Sequence, residues 1–303
     1  MNIKAYKKPS TAVAKIVLET CIFHGDCFDL LAAMPDNFVD VTFTSPPYCM
    51  GKDYESSRSV DDFINFHKKI LPEIVRITKP GGSICWQVGY HSQNGQLVPL
   101  DCIVYGELSK NPEIFFRNRI VWSFAHGLHK RNTFSGRHET ILWFTKGPDY
   151  SFDLDRVRVP QKYPGKRSYK GPNKGKLSGN PLGKNPGDIW DDIPNVKGHH
   201  VEKLDHPCQF PIALPQRFIR ALCGENALVF DPFMGVGSTG AAALLENKRF
   251  LGAELQTNYV EIARKRLAEA QAGTVKIRQL GQPIQEPKLT DAVARKPSHF
   301  RGR

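Results

Sequence analysis

Two stretches carry residue types able to do chemistry. The first, Asp-Pro-Phe-Met-Gly-Val-Gly-Ser-Thr-Gly from Asp231 to Gly240, follows the apolar run Ala227 to Phe230 and precedes the helix-forming run Ala241 to Leu245. A glycine-rich turn between a buried strand and a helix leaves backbone N–H groups to face a ligand. Gly235, Gly237 and Gly240 satisfy G-x-G-x-x-G, and Glu254 stands nineteen residues after Gly235, at the end of the next apolar run. Taken literally this is a dinucleotide fingerprint and implies a nicotinamide dehydrogenase. Asp231 argues the other way, because a carboxylate at the strand tip repels a pyrophosphate and welcomes an ammonium group. The second stretch, Thr44-Ser45-Pro46-Pro47-Tyr48, closes the β-rich run Val39 to Thr44. Neither proline can donate to a ladder, so the strand stops there. A hydroxyl, a peptide carbonyl and an aromatic ring are left at its carboxyl end. Open α/β sheets bind ligands at that end, so the two stretches face one crevice if their strands share a sheet.

The elements that must position them follow from periodicity. Phe28 to Met34 reads as a short amphipathic helix with Asp26 near its N-cap. Asp61 to Thr78 is the clearest helix, with Phe63, Phe66, Ile70, Ile74 and Ile77 at three- and four-residue spacing. Lys79-Pro80-Gly81-Gly82 ends it, and Ser83 to Val88 is a buried strand. A helix is expected over Gln96 to Lys110, then strands over Arg119 to Phe124 and Glu139 to Thr145 joined by a basic loop. Pro215 suits the first turn of a helix carrying Phe218, Ile219 and Leu222, and a last helix spans about Asn258 to Gln271. Residues 1–20 read as an extended arm with a short strand. Strands alternating with helices at these intervals give a mostly parallel sheet with crossover helices. Only 63 residues follow Gly240, so the remaining strands come from the N-terminal side.

With 303 residues the chain can bury one good-sized core. Its 42 Lys and Arg against 30 Asp and Glu, a net charge of +12, favour a polyanionic partner, nucleic acid first. The surplus concentrates between Arg156 and Lys203, with eleven Lys or Arg against four acids, many Gly and Pro, and little apolar periodicity. A structureless run of that length in a compact protein is functional or disordered. The seven cysteines form no C-x-x-C pair and read as reduced thiols, with no metal site. No run is long and apolar enough to span a membrane, and the first ten residues lack a signal-peptide core.

Taken together and in this order, the two motifs resemble those of the amino-methylating DNA methyltransferases that use S-adenosylmethionine. Those enzymes carry a D/N/S-P-P-Y/F catalytic motif and a D-P-F-x-G-x-G-[ST]-T-like cofactor motif. With the catalytic motif first, the chain is similar to their permuted β class. Gly25-Asp26-Cys27, Lys79-Pro80-Gly81-Gly82-Ser83, Arg137-His138-Glu139 and His206-Pro207-x-Gln209 extend the likeness over residues 22–270. Gly240 departs from it, where the family often has a non-glycine residue. The resemblance implies a Rossmann-like, circularly permuted α/β fold with a seven-stranded-type sheet. It divides the chain into a catalytic half (20–150), a basic target-recognition region (151–204), a cofactor-binding half (205–272) and a basic tail (273–303).

What the resemblance implies for the residues is specific. Ser45, Pro46, Pro47 and Tyr48 would act on the exocyclic amine of a base rotated out of double-stranded DNA. A serine before Pro-Pro-Tyr is typical of cytosine-N4 enzymes, with adenine N6 as the alternative. Asp231 and the Phe233–Gly237 backbone, Gly235 and Gly237 included, would hold the methionine part of the cofactor, with Pro232 and Ser238 also at the cofactor. Thr239 would bond its carboxylate or only cap the helix start, Glu254 would take the ribose hydroxyls and Asp26 the adenine amino group. Asp26 serves equally as a plain helix N-cap. His206 either orients the cofactor motif or caps a turn, and Cys49 is a bystander thiol. Lys130, Arg131, Arg137, Lys162, Lys166, Arg167, Lys170 and Lys174 are the candidate DNA contacts, mostly to phosphate. A companion restriction endonuclease, a monomer or homodimer, and a cytoplasmic place on bacterial DNA complete the expectation. A non-catalytic nucleic-acid-binding module would need neither Ser45-Pro46-Pro47-Tyr48 nor Asp231.

Overall fold

The computed structural model describes residues 3–17, 19–48, 59–93, 95–124, 131–198 and 200–280. The elements run β1 (Lys4–Tyr6), α1 (Pro9–Lys15), β2 (Cys21–His24), α2 (Cys27–Ala33), β3 (Val39–Thr44), α3 (Val60–Ile77), β4 (Thr78–Val88), β5 (Tyr90–Gln93) and β6 (Gln96–Pro99). They continue as α4 (Leu100–Leu108), β7 (Ile114–Ser123), β8 (His138–Lys146), β9 (Ile189–Trp190), α5 (Ala213–Leu222), β10 (Leu228–Asp231), α6 (Ser238–Leu245), β11 (Arg249–Glu254) and α7 (Thr257–Gln271).

Nine strands form one sheet in the order β1-β2-β11-β10-β3-β4-β8-β7-β9. All pairings are parallel except those of β8, which runs against both β4 and β7. The glycine loop leaves β10 and the Pro-Pro motif leaves its sheet neighbour β3, with Val229 opposite Val41 and Phe230 opposite Thr42. β1 to β4 and β7 to β9, which precede the glycine loop in the chain, complete the sheet around β10 and β11.

Alternate strand residues feed opposite faces. Leu228, Phe230, Ile84 and Trp86 pack with Leu30, Ile70 and Val104 of α2, α3 and α4. Val229, Cys85, Ile141 and Trp143 pack with Phe218, Ala241 and Leu267 of α5, α6 and α7. Burial on both faces explains why these strands read as unbroken apolar runs rather than alternating ones.

Three expectations are corrected. Residues 9–15 are helical, with Pro9 at the first turn, rather than part of an extended arm. The helix expected from Gln96 starts at Leu100; Gln96–Pro99 instead pairs with Tyr90–Gln93 as a hairpin, and Pro99 is the helix N-cap. A proline with no N–H to give suits the flank of a helix but not its interior. Lys79 to Gly82 does not merely end α3. It lies within β4 as an irregular excursion, because Val39 pairs with Thr78 while Val41 pairs with Ser83. Gly81, at φ +77°, turns this excursion where a side chain would be strained.

Candidate active site

The carboxyl ends of β11, β10, β3, β4 and β7, and the amino end of the reversed β8, open on one cavity of about 520 Å³. That size is typical of a small-molecule site. Its walls follow the strand order. Glu254 lies at the end of β11, Pro232 to Val236 after β10, Ser45 to Tyr48 after β3, Gln87 on β4, Glu139 on β8, and Trp122 with Phe124 at the end of β7. The two motifs, 187 residues apart at Thr44 and Asp231, are tied directly, since the Thr44 hydroxyl donates to Asp231 Oδ1 at 2.6 Å.

The glycine loop is shaped by its neighbours. Gly235 (φ +50°) donates its N–H to Glu254 Oε2 at 3.0 Å, and a Cβ there would come within 3.1 Å of His206 Nε2. Gly237 (φ +78°) leads into α6, and a Cβ there would lie 2.6 Å from Leu267 Cδ1. Glu254 Oε1 also accepts from Gln256 N–H at 2.7 Å, and burial raises the pKa of its carboxyl. Each oxygen keeps acceptor capacity towards the cavity. Phe233 floors the cavity, its ring centroid 5.6 Å from Phe66 and 6.3 Å from Trp86. Beneath it the buried His67 accepts from Trp86 Nε1 and donates to Phe63 O, and burial lowers its pKa to about 4, so the ring stays neutral.

Asp26 both caps α2, accepting from Phe28 N–H at 2.9 Å, and lines the cavity. Ser238 lines it too, with its hydroxyl donating to Phe210 O at 2.7 Å. His206 packs edge-on to Tyr259, and its Nδ1 accepts from Cys208 N–H. Asp231, Gly237 and Thr239 are buried behind the loop and are not among the residues lining the cavity; Asp231 Oδ2 has no hydrogen-bond partner among the described residues. The reason is local. Asp231 Oδ1 takes Thr44 Oγ1 and Phe233 N–H, Thr239 Oγ1 reaches Phe43 O at 3.4 Å, and Gly237 is pressed against α7. Together these three pin the tips of β10 and β3 and the start of α6.

Asp231 is fully buried, and desolvation outweighs its hydroxyl and N–H donors, raising its pKa from 3.8 to about 6. The native state therefore binds this proton more tightly than the unfolded chain. The stabilisation is complete below about pH 4 and lost as pH rises through 6. Asp231→Asn keeps an acceptor towards Thr44 and Phe233 and removes the charge. Its stability relative to wild type should rise between pH 4 and pH 7, by about 1–3 kcal/mol. Urea midpoints across that range check this; a difference independent of pH would refute it.

The candidate DNA contacts divide. Lys162, Lys166, Arg167, Lys170 and Lys174 are all exposed on an arm closed by antiparallel bridges Val159–Lys184 and Arg167–Leu177. The arm also exposes Tyr163 and Tyr169. Arg131 is exposed, Arg137 is half-buried beside β8, and Lys130 lies outside the described residues, as does Cys49. Lys197 and Asn195, on the same basic region, reach the cavity wall.

Sequence reasoning missed one buried network. Arg266 Nη2 pairs with Glu202 Oε2 at 3.1 Å, and Arg266 Nη1 donates to Ser238 Oγ at 2.8 Å. Glu202 also accepts from Ile212 N–H at 2.8 Å and Arg278 N–H at 3.3 Å. The signal was present: Arg266 falls three residues after Ala263 and four before Ala270, on the buried stripe of α7. Gln87 and Glu139 were also not singled out as site residues. Among the described residues no His, Cys, Asp and Glu cluster could hold a metal ion, and no helix is long and apolar enough to cross a membrane.

This is a Rossmann-like α/β fold with its cleft at the carboxyl ends of the strands. The chain belongs to the N6_N4_Mtase family, described as DNA methylase, whose profile matches residues 39–265. It is 46% identical over 243 residues to the type II methyltransferase M.BglII of Bacillus subtilis, covering 80% of this chain and 67% of the relative. It is 37% identical over 278 residues to M.ScaI of Streptomyces caespitosus, covering 89% and 87%. Among solved structures it resembles a Thermus thermophilus protein classed as a DNA modification methylase and complexed with S-adenosyl-L-methionine. That match has a TM-score of 0.58 and 25% identity, covering 85% of this chain and 99% of the other.

Proposed function

We propose that this DNA methyltransferase is a β-class enzyme that methylates the exocyclic N4 of a cytosine rotated out of double-stranded DNA. In this reading it is the modification partner of a restriction endonuclease. What carries the reading is the opening of Ser45-Pro46-Pro47-Tyr48 and the Pro232–Val236 loop on one cavity. The type II relatives support the restriction–modification context.

S-adenosylmethionine is the cofactor, and the residues present fit it. The Glu254 carboxylate stands at the strand end suited to ribose hydroxyls, Asp26 lies on the same wall, and Gly235 brings backbone to the cavity without a side chain. Asp231 holds this loop from behind. When bound, the cofactor supplies a methyl group activated by its sulfonium.

The chain's own residues prepare the acceptor. An exocyclic amine is a poor nucleophile because its lone pair is delocalised into the ring. The Ser45 hydroxyl and Pro46 carbonyl accept from its two N–H groups and favour a tetrahedral nitrogen with its lone pair freed. Pro47 stiffens the turn, so these acceptors are preorganised. Tyr48 offers a stacking face, worth about 1–3 kcal/mol per base. Desolvation and the Glu139 carboxylate raise the Tyr48 pKa well above 10, so the phenol stays neutral. The basic arm within 151–204 tracks phosphates, with a minority of contacts reaching base edges.

Tritiated S-adenosylmethionine incubated with this protein and unmethylated DNA, prepared from a strain without the activity, should label DNA, and base analysis should find the label on N4-methylcytosine. Label on N6-methyladenine would move the assignment to the other amino base. No label in DNA would overturn the reading.

A further inference from the structure

Resting on that reading, we propose that Gln87 reads the ring nitrogen beside the amino group of the ejected base, and that Glu139 fixes the orientation in which it does so. Gln87 lies near the end of β4, between Trp86 and Val88, both fully buried, and is itself only 3% exposed. Gln87 is nevertheless among the residues that line the cavity. Across the sheet Thr44 pairs with Trp86, which puts Gln87 beside Ser45. On the other side Val88 pairs with Thr140, which puts it diagonal to Glu139.

Gln87 Nε2 donates to Glu139 Oε2. An ionised carboxylate only accepts, so this bond forbids the amide from flipping and fixes its nitrogen on the Glu139 side. Nε2 carries a second N–H beyond the one given to Glu139, and in this proposal that N–H is the donor to the base. Gln87 Oε1 is buried with no hydrogen-bond partner among the described residues. A buried polar atom left unpaired works against folding. An apolar residue between Trp86 and Val88 would avoid that cost but would withdraw the donor from Glu139 Oε2. Glu139 and Tyr48 sit together as well, since a Cβ added at Gly89 would lie 3.4 Å from an atom of each.

In this proposal the groups along the cavity run acceptor, acceptor, donor: Ser45 hydroxyl, Pro46 carbonyl, Gln87 amide. Cytosine and adenine present the complement, an amino group next to a ring nitrogen with a free lone pair. Thymine and guanine present the opposite, a carbonyl next to a ring N–H, and meet acceptors with an acceptor and a donor with a donor. Gln87 is a specificity residue and Glu139 its positioning residue.

The test uses the full chain and synthetic duplexes carrying the methylation site mapped in host DNA. One duplex holds the natural target base. The other holds its deaza analogue, with carbon replacing the ring nitrogen beside the amine (3-deazacytosine or 1-deazaadenine). Wild type should lose about five- to tenfold in kcat/KM on the analogue, the worth of one neutral hydrogen bond. Gln87→Leu should fall by a similar factor on the natural base and treat both duplexes alike. Glu139→Gln, which frees the amide to flip, should narrow the discrimination while S-adenosylmethionine binding is retained. Equal wild-type rates on the two duplexes would overturn the inference, and so would full discrimination kept by Gln87→Leu. If Gln87→Leu does not fold, the wild-type comparison and Glu139→Gln still decide. Absence of methyl transfer to the natural duplex would instead refute the DNA-methyltransferase reading itself.

Discussion

Arg266→Met should lower the free energy of unfolding by about 3–5 kcal/mol at pH 7, read as a fall in urea midpoint at unchanged m-value. Both members of the pair are almost wholly buried, with side-chain exposures of 5% and 1% for Arg266 and Glu202. Burial penalises both charges: it raises the pKa of Glu202 and lowers that of Arg266. Removing the arginine strands a carboxylate whose only remaining donors among the described residues are the Ile212 and Arg278 N–H groups. It also removes a donor to Ser238, at the first turn of α6 beside the glycine loop. The double variant Glu202→Leu/Arg266→Met should recover much of the loss, because no buried charge is then left alone. If the two single losses simply add in the double variant, the pair is not coupled and the argument fails.

That pair marks where the sequence stopped being legible. Local patterns were enough for β3, α3, β10, β11 and α7, because each has a period or a turn signal of its own. The shared crevice was legible too, since a strand stopped by two prolines and a strand entering a glycine loop both place their chemistry at the carboxyl end. The β5–β6 hairpin was not, because Gln96–Pro99 is strand only by virtue of its partner Tyr90–Gln93. The position of Asp231 was also out of reach. Its type and place suggested a ligand for a cation; the bond from a hydroxyl on a strand 187 residues away to its Oδ1 could not be read from the sequence, and its Oδ2 is buried without a partner among the described residues. Glu202 lies in a stretch without periodicity, and its importance comes entirely from a helix 64 residues later. Long-range polar contacts depend on topology, and topology is the last thing a pattern of residues discloses.

Ser45→Ala should reduce kcat for DNA methylation by about 10²–10³, the range for deleting one preorganised polar contact to the transition state. The effect should fall on kcat and leave cofactor affinity and the DNA KM nearly unchanged, because the hydroxyl engages the amine only as its geometry changes. The scaffold around it survives the substitution. Thr44 remains anchored to Asp231 at 2.6 Å, and the following Pro46 is buried. Tyr48 keeps a raised pKa by desolvation, so loss of its Ser45 hydrogen bond does not ionise it in the working pH range. Ser45→Asn supplies a carbonyl oxygen in place of the hydroxyl and should recover most of the rate, within about tenfold of wild type. That recovery separates an acceptor role from mere packing, since asparagine is the bulkier intrusion. Single-turnover rates with saturating S-adenosylmethionine make the comparison. An alanine variant within tenfold of wild type would show that the Pro46 carbonyl alone suffices.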